Sequence, residues 1–185
     1  MFTDTWITCI FICVMYSSKL CRIGAYEYPT PCDFDHSLCQ WQQLDDDDFD
    51  WTLQSGNTPS GSTGPSSDHT QGSGGSGQYL YIEASSNYGK TARLVSSPIN
   101  PSLSDPCTMV FHYHMYGTNI GNLQILFRYE GETNETSLWY KTGNQGNSWN
   151  QGSVSFYGAT RPFQVLQYIL THSDFSGNVY DLMIG

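Results

Sequence analysis

From Gln78 onward, apolar and polar positions alternate with a period of two, in short runs broken by turn residues. QYLYIEA (Gln78–Ala84) sets Tyr79, Tyr81 and Glu83 against Leu80, Ile82 and Ala84, because successive strand side chains point to opposite faces. TMVFHYHMYG (Thr108–Gly117) sets Met109, Phe111, Tyr113 and Met115 against Val110, His112, His114 and Tyr116. NLQILFRYE (Asn122–Glu130) sets Leu123, Ile125, Phe127 and Tyr129 against polar partners. TARLVSSPI (Thr91–Ile99) reads as a strand that ends before a proline, and SLWYK, SVSFY, FQVLQYIL and NVYDLMI follow. No stretch sustains a helical period, although FQVLQYIL is short enough to be ambiguous. Regular short strands punctuated by Gly, Asn, Ser and Pro predict an all-β, antiparallel two-sheet sandwich.

Two segments fall outside this pattern. SGNTPSGSTGPSSDHTQGSGGSG (Ser55–Gly77) contains seven Gly and seven Ser. It predicts a long flexible loop, because such a composition has little apolar surface to bury. GPSSDHT (Gly64–Thr70) is a less repetitive island within it. Near the start, WITCIFICVMYSS (Trp6–Ser18) is too short to cross a bilayer with ease and reads as the apolar part of a signal peptide. The expected organisation is a leader over 1–18, a polar lead-in over 19–31 and one domain over 32–185.

Composition narrows the function. Hydrophobic residues make up 38% and charged ones only 13%, with 13 Tyr, nine Phe and 18 Gly. This balance fits an extracellular β module better than a helical enzyme. The net charge is −10 and the seven basic residues form no run. Anionic membrane surfaces are therefore poor partners and no nucleic acid is expected as one, since both need clustered Lys and Arg. Leader removal would leave Cys21, Cys32, Cys39 and Cys107, for which a secreted context favours disulfides.

An ordered series of motifs goes further. CDFDHSLCQW (Cys32–Trp41) is followed by DDFDW (Asp47–Trp51), GPSSDHT, GQYLYIEAS, TARLVSSP, the Cys107–Gly117 strand and SLWYKTGNQGNSW (Ser137–Trp149). In order and spacing these resemble the MAM domain, an extracellular module of meprins, neuropilins and receptor-type tyrosine phosphatases. The resemblance covers Cys32 to Gly185 and implies a jelly-roll sandwich serving adhesion or assembly. It also implies cysteines paired first with second and third with fourth, so Cys32 with Cys39, while Cys107 matches the third and no fourth is present. The simplest reading is a C-terminally truncated chain whose partner cysteine lay downstream. The alternatives are a free Cys107 or a Cys107–Cys21 bridge.

The spacing of Cys32 and Cys39 suits neither a zinc site, which wants a second ligand pair, nor a C-x-x-C redox pair. Four successive aspartates, Asp45–Asp48, repel one another and persist most easily on an exposed turn or around a cation. Some relatives hold a metal near the first cysteine pair, so the resemblance points to Asp35, Asp50 and Asp68 as candidate Ca²⁺ ligands beside solvated or capping roles; no EF-hand pattern is present. Asp68-His69-Thr70 has no G-x-S-x-G elbow to serve and reads as a loop anchor. His112 and His114 share a strand face without an evident third zinc ligand. Trp41, Trp51, Trp139 and Trp149 read as core or core-edge residues, each wanting an N–H partner. Asn134 heads an N-x-T sequon between two expected strands.

These readings converge on a non-catalytic extracellular adhesion module. Its expected partners are other extracellular proteins, copies of itself included, and any membrane anchor of the parent protein is expected in a segment not in this chain. Two rivals stand beside it. One is a carbohydrate-binding jelly roll. The other is an accessory domain of a meprin-like protease, whose catalysis would lie elsewhere because no H-E-x-x-H occurs here.

Overall fold

The computed structural model describes residues 10–12, 32–60, 63–84, 87–101, 107–117, 120–171 and 182–184. Among them are eleven strands and no helix: β1 (Ile10–Ile12), β2 (Trp41–Gln43), β3 (Thr52–Ser55), β4 (Gln78–Ile82), β5 (Thr91–Ser96), β6 (Cys107–Met115), β7 (Asn122–Tyr129), β8 (Thr136–Thr142), β9 (Asn150–Phe156), β10 (Phe163–Leu170) and β11 (Leu182–Ile184).

The strands form two antiparallel sheets. The larger runs β1-β6-β11-β4-β3, with β9 also paired to β6, and the smaller runs β2-β5-β10-β7-β8. From β4 onward the chain passes repeatedly from one sheet to the other, the crossing pattern of a jelly roll. The expected all-β sandwich is what the chain forms.

The alternation decides which face meets the core. Leu80 and Ile82 of β4, and Met109, Phe111, Tyr113 and Met115 of β6, share one buried cluster with Leu94, Leu123, Ile125, Val165 and Ile169 of the other sheet. Phe111 meets Trp139 edge to face at 4.9 Å across this interior, a geometry favoured by the ring quadrupoles. Phe111 also lies over Gly152, where an added Cβ would come within 2.4 Å of its ring. FQVLQYIL is a strand, not a helix. As β10 it pairs with both β5 and β7, and this central position accounts for apolar residues on both its faces.

Three short strands lie where alternation gave no signal. β2 and β3 span only three and four residues. Ile10–Ile12, within the expected leader, pairs antiparallel with Thr108–Val110. The remainder of 1–18 and the lead-in 19–31 lie outside the described residues.

Candidate functional site

The site grows from the first cysteine pair. Cys32 and Cys39 form a disulfide with Cα atoms 6.0 Å apart. Inside this small loop Phe34 takes φ 59° and Cys39 φ 53°, left-handed values uncommon for side chains with a Cβ. Phe34 is nonetheless fully buried. The staple and the aromatic anchor together hold a backbone that the sequence alone would not choose.

This turn presents Asp35 to the Gly/Ser loop. Asp35 Oδ1 accepts from the Gln78 amide at 2.9 Å and its Oδ2 from Gln71 Nε2 at 3.0 Å. Asp68 Oδ2 accepts from the Thr70 and Gln71 amides at 2.8 and 2.7 Å. Gln71 therefore gathers both carboxylates, and its Oε1 takes the Ser76 amide at 3.1 Å. Asp68 also packs on Gly77, where a Cβ would lie 2.4 Å from its Cγ. Asp50 is exposed, and it acts on Asp47: burial first, then the charges of Asp50 and Asp46, raise the Asp47 carboxyl above the ordinary range.

Of the three calcium candidates, the structure thus joins Asp35 and Asp68 through Gln71, while Asp50 has no part in that knot. Calcium takes six to eight oxygens. Among the described residues no three His, Cys, Asp or Glu side chains converge on one point. Each Asp35 oxygen already accepts one amide hydrogen bond.

The aspartate run is wired to β5. Asp46 pairs with the Arg93 guanidinium at 2.9 Å. Asp47 accepts from the Arg93 amide at 2.6 Å, and Asp48 from the Thr91 amide and hydroxyl at 2.8 and 2.9 Å. Those two bonds hold the Asp48 carboxyl below its ordinary value. Arg93 also reaches Glu135, which Arg128 approaches at 3.4 Å. The mutual repulsion expected of the run is offset by strand donors more than 40 residues away in sequence.

The outer face of the larger sheet carries an aromatic and histidine layer. His69 stacks on His112 with centroids 3.5 Å apart and planes 14° from parallel. Trp149 packs against His69, Tyr79 and His114, and its Nε1 donates to Ser67 O at 3.0 Å. His114 Nε2 meets Asn147 Oδ1 at 3.1 Å. Burial lowers the pKa of all three histidines; at His112, with His69 adding to the effect, it falls to about 4. Within 55–77, expected as a flexible loop, the described residues are held here by Asp68, His69 and the Ser67 carbonyl, and by Tyr79 Oη donating to Gly56 O at 2.8 Å. Composition counted its few apolar side chains and missed what its main chain could accept.

A cavity of about 300 Å³ opens beside this layer, lined by Thr58, Ser60, Thr63, Ser66, Tyr116 and Asn147 among others. Cys107 is buried at the start of β6, and Cys21 lies outside the described residues. Trp149 has the N–H partner expected of it, whereas the buried Trp51 Nε1 has none among the described residues. Asn134 is exposed between β7 and β8. Sequence reasoning missed Gln71, which no local pattern marks. It also missed Leu138 and Tyr140, which break the polar alternation on either side of Trp139 and are exposed.

The family profile and the similar sequences agree on one family. The profile described as MAM domain, meprin/A5/mu, matches residues 32–180. The chain is 40% identical to Neuropilin-1a of Danio rerio over 142 residues, 73% of this chain and 15% of that protein. It is 37% identical to MAM domain-containing protein 2 of Mus musculus over 149 residues, 79% of this chain and 21% of the relative. It is 38% identical to MAM domain-containing glycosylphosphatidylinositol anchor protein 2 of Mus musculus over 161 residues, 78% and 16% respectively. The chain thus spans about a fifth or less of the relatives it matches. Among solved structures, the K1 cleaved adhesin domain of Lys-gingipain from Porphyromonas gingivalis W83 superposes with TM-score 0.53 at 16% identity, over 82% of this chain and 91% of that one. That likeness concerns the fold alone.

Proposed function

The chain belongs to the MAM domain family, and from that premise we propose that it is an extracellular, non-catalytic module that binds other proteins through its sandwich surface. The observation that carries the reading is the family match over residues 32–180. The disulfide at the head of that region supports an oxidising compartment. Among the described residues no helix is long and apolar enough to cross a membrane. We infer that any membrane attachment belongs to the parent protein, as the name of the glycosylphosphatidylinositol-anchored relative suggests. The test is direct. Beads coated with the secreted chain should cluster with one another or bind intact cells, and heat-unfolded chain should not. Beads that stay dispersed and bare on every cell type tried would remove the proposal.

A second reading is a carbohydrate-binding sandwich. The observation in its favour is the cavity beside Tyr116, lined by hydroxyl and amide groups, the chemistry that orients a sugar. Glycan-array binding lost in Tyr116→Ala and Asn147→Ala would favour it over protein contact.

A further inference from the structure

Asn134-Glu135-Thr136 is the one N-x-[ST] sequon of the chain, and the fold presents it. It lies where the chain enters β8, the edge strand of the smaller sheet. Arg93 and Arg128 draw the Glu135 carboxylate onto the outer face of that sheet, opposite the interior occupied by Leu94 and Ile125. The residues on either side of it, Asn134 and Thr136, are exposed. The two ion pairs therefore fix the middle of the sequon and leave the residues that define it in solvent.

The exposed apolar side chains gather round the same place. Among the described residues the exposed large hydrophobics are Leu138 (40%), Tyr140 (49%) and Tyr157 (77%). Leu138 and Tyr140 follow Asn134 by four and six residues on β8, roughly 13 and 20 Å along an extended chain. Tyr157 directly follows Phe156, whose ring stacks on Phe127, the cross-strand partner of Thr136. β8 and β9 are the edges at which the two sheets end on this side, and they touch. Open edges that expose apolar residues invite aggregation unless something covers them. Charge does little of that here, since from Thr142 to Thr160 the chain has no Asp, Glu, Lys, Arg or His.

We propose that Asn134 carries an N-linked oligosaccharide and that this sugar covers the β8–β9 side of the sandwich, shielding Leu138, Tyr140 and Tyr157. The donor is a lipid-diphosphate oligosaccharide supplied with its transferase by the secretory route. A bond forms between Asn134 Nδ2 and the anomeric carbon, the bond from that carbon to the phosphate oxygen breaks, the lipid diphosphate leaves, and the amide gives up one proton; nothing is oxidised or reduced. A glycan is bulky and solubilising. Its C–H faces also gain dispersion contacts on tyrosine rings and on leucine, so a sugar rooted at Asn134 replaces the missing charge as cover for both edges. The consequence is directional. Protein partners are kept off the β8–β9 side, and the module's contacts fall on its remaining surface. This inference rests on the reading of the chain as extracellular.

Intact-mass measurement of the full chain expressed in cultured animal cells tests the attachment. Peptide N-glycosidase should remove the mass of one oligosaccharide, and peptide mapping should place it at residue 134. Asn134→Gln and Thr136→Ala should abolish the added mass, whereas Thr136→Ser should keep it. The covering is tested on the folded, unsubstituted chain by hydroxyl-radical labelling before and after enzymatic trimming. Tyr140 and Tyr157 should lose protection on trimming. Tyr88 should not change, because it precedes Thr91 at the end of the smaller sheet opposite Phe163 and Tyr129. A secreted chain without the sugar overturns the inference and leaves the extracellular reading standing. A glycan whose removal leaves Tyr140 and Tyr157 labelled as before overturns the covering role. A chain that stays in the cytosol without sugar removes both the inference and the extracellular reading.

Discussion

The imidazole of His69 lies flat on that of His112, tying the Gly/Ser loop to the centre of β6 with ring centroids 3.5 Å apart. Two neutral rings stack well, while two imidazoliums at that distance repel. Among the described residues the carboxylate acting on His69 is that of Asp68, and its effect is smaller than that of burial.

The contact therefore makes stability depend on pH. His112 has its pKa lowered from 6.5 to about 4 in the folded state. The unfolded chain then binds more protons at mildly acidic pH. Stability from this group is complete above about pH 6.5 and is lost as pH falls toward 4. His69 and His114 shift in the same direction. Discounted for partial exposure, the loss at His112 is on the order of 1 kcal/mol, or about 2–4 °C in melting temperature for a domain of this size. Melting scans at pH 7.5 and 4.5 should show the drop, and His112→Gln should flatten it.

The Cys32–Cys39 staple closes a short loop, and the chain-entropy estimate for it is about 2.5 kcal/mol. Cys32→Ser with Cys39→Ser should lower urea-unfolding stability by that order. An unaltered midpoint would mean that Phe34 alone holds the turn.

Asp68→Ala strips the acceptor from two main-chain amides and should cost about 2 kcal/mol. Asp68→Asn keeps an acceptor oxygen and should cost far less. Calorimetric titration with calcium tests Asp35 and Asp68 as ligands, and a flat response would end that assignment. A saturable heat that vanishes in Asp35→Asn and Asp68→Asn would instead identify a cation held with oxygens from outside them.

Gly152→Ala drives a methyl into the Phe111 ring and should destabilise by about 1–3 kcal/mol. Gly131→Ala meets open space and should show only the smaller strain of its φ of 76°. Differential scanning calorimetry of the pair separates crowding from backbone strain.

Much of this architecture was legible in the residues. The two faces of β4 and β6 were written in the alternation of Tyr79 to Ile82 and of Met109 to Tyr116, and the staple could be placed once the motif order was seen. What stayed hidden was non-local or carried by the main chain. Nothing near Asp46 announces Arg93, and nothing in TQGSGG marks Gln71 as the group that would join Asp35 to Asp68. The positive φ of Phe34 needs the disulfide to impose it. β2 and β3 are too short to show a period.

The strand order of the larger sheet sets a timetable. β4 and β6 have no ladder between them; β11 lies in the gap and pairs with both. β11 leaves the ribosome after every other described strand. Until it arrives, the sheet exists as two separate pieces, β3 with β4 and β6 with β1 and β9. Such late, long-range closure is slow relative to local pairing and leaves apolar surface open while synthesis proceeds. The nascent chain is thus a natural client for chaperones until β11 is in place.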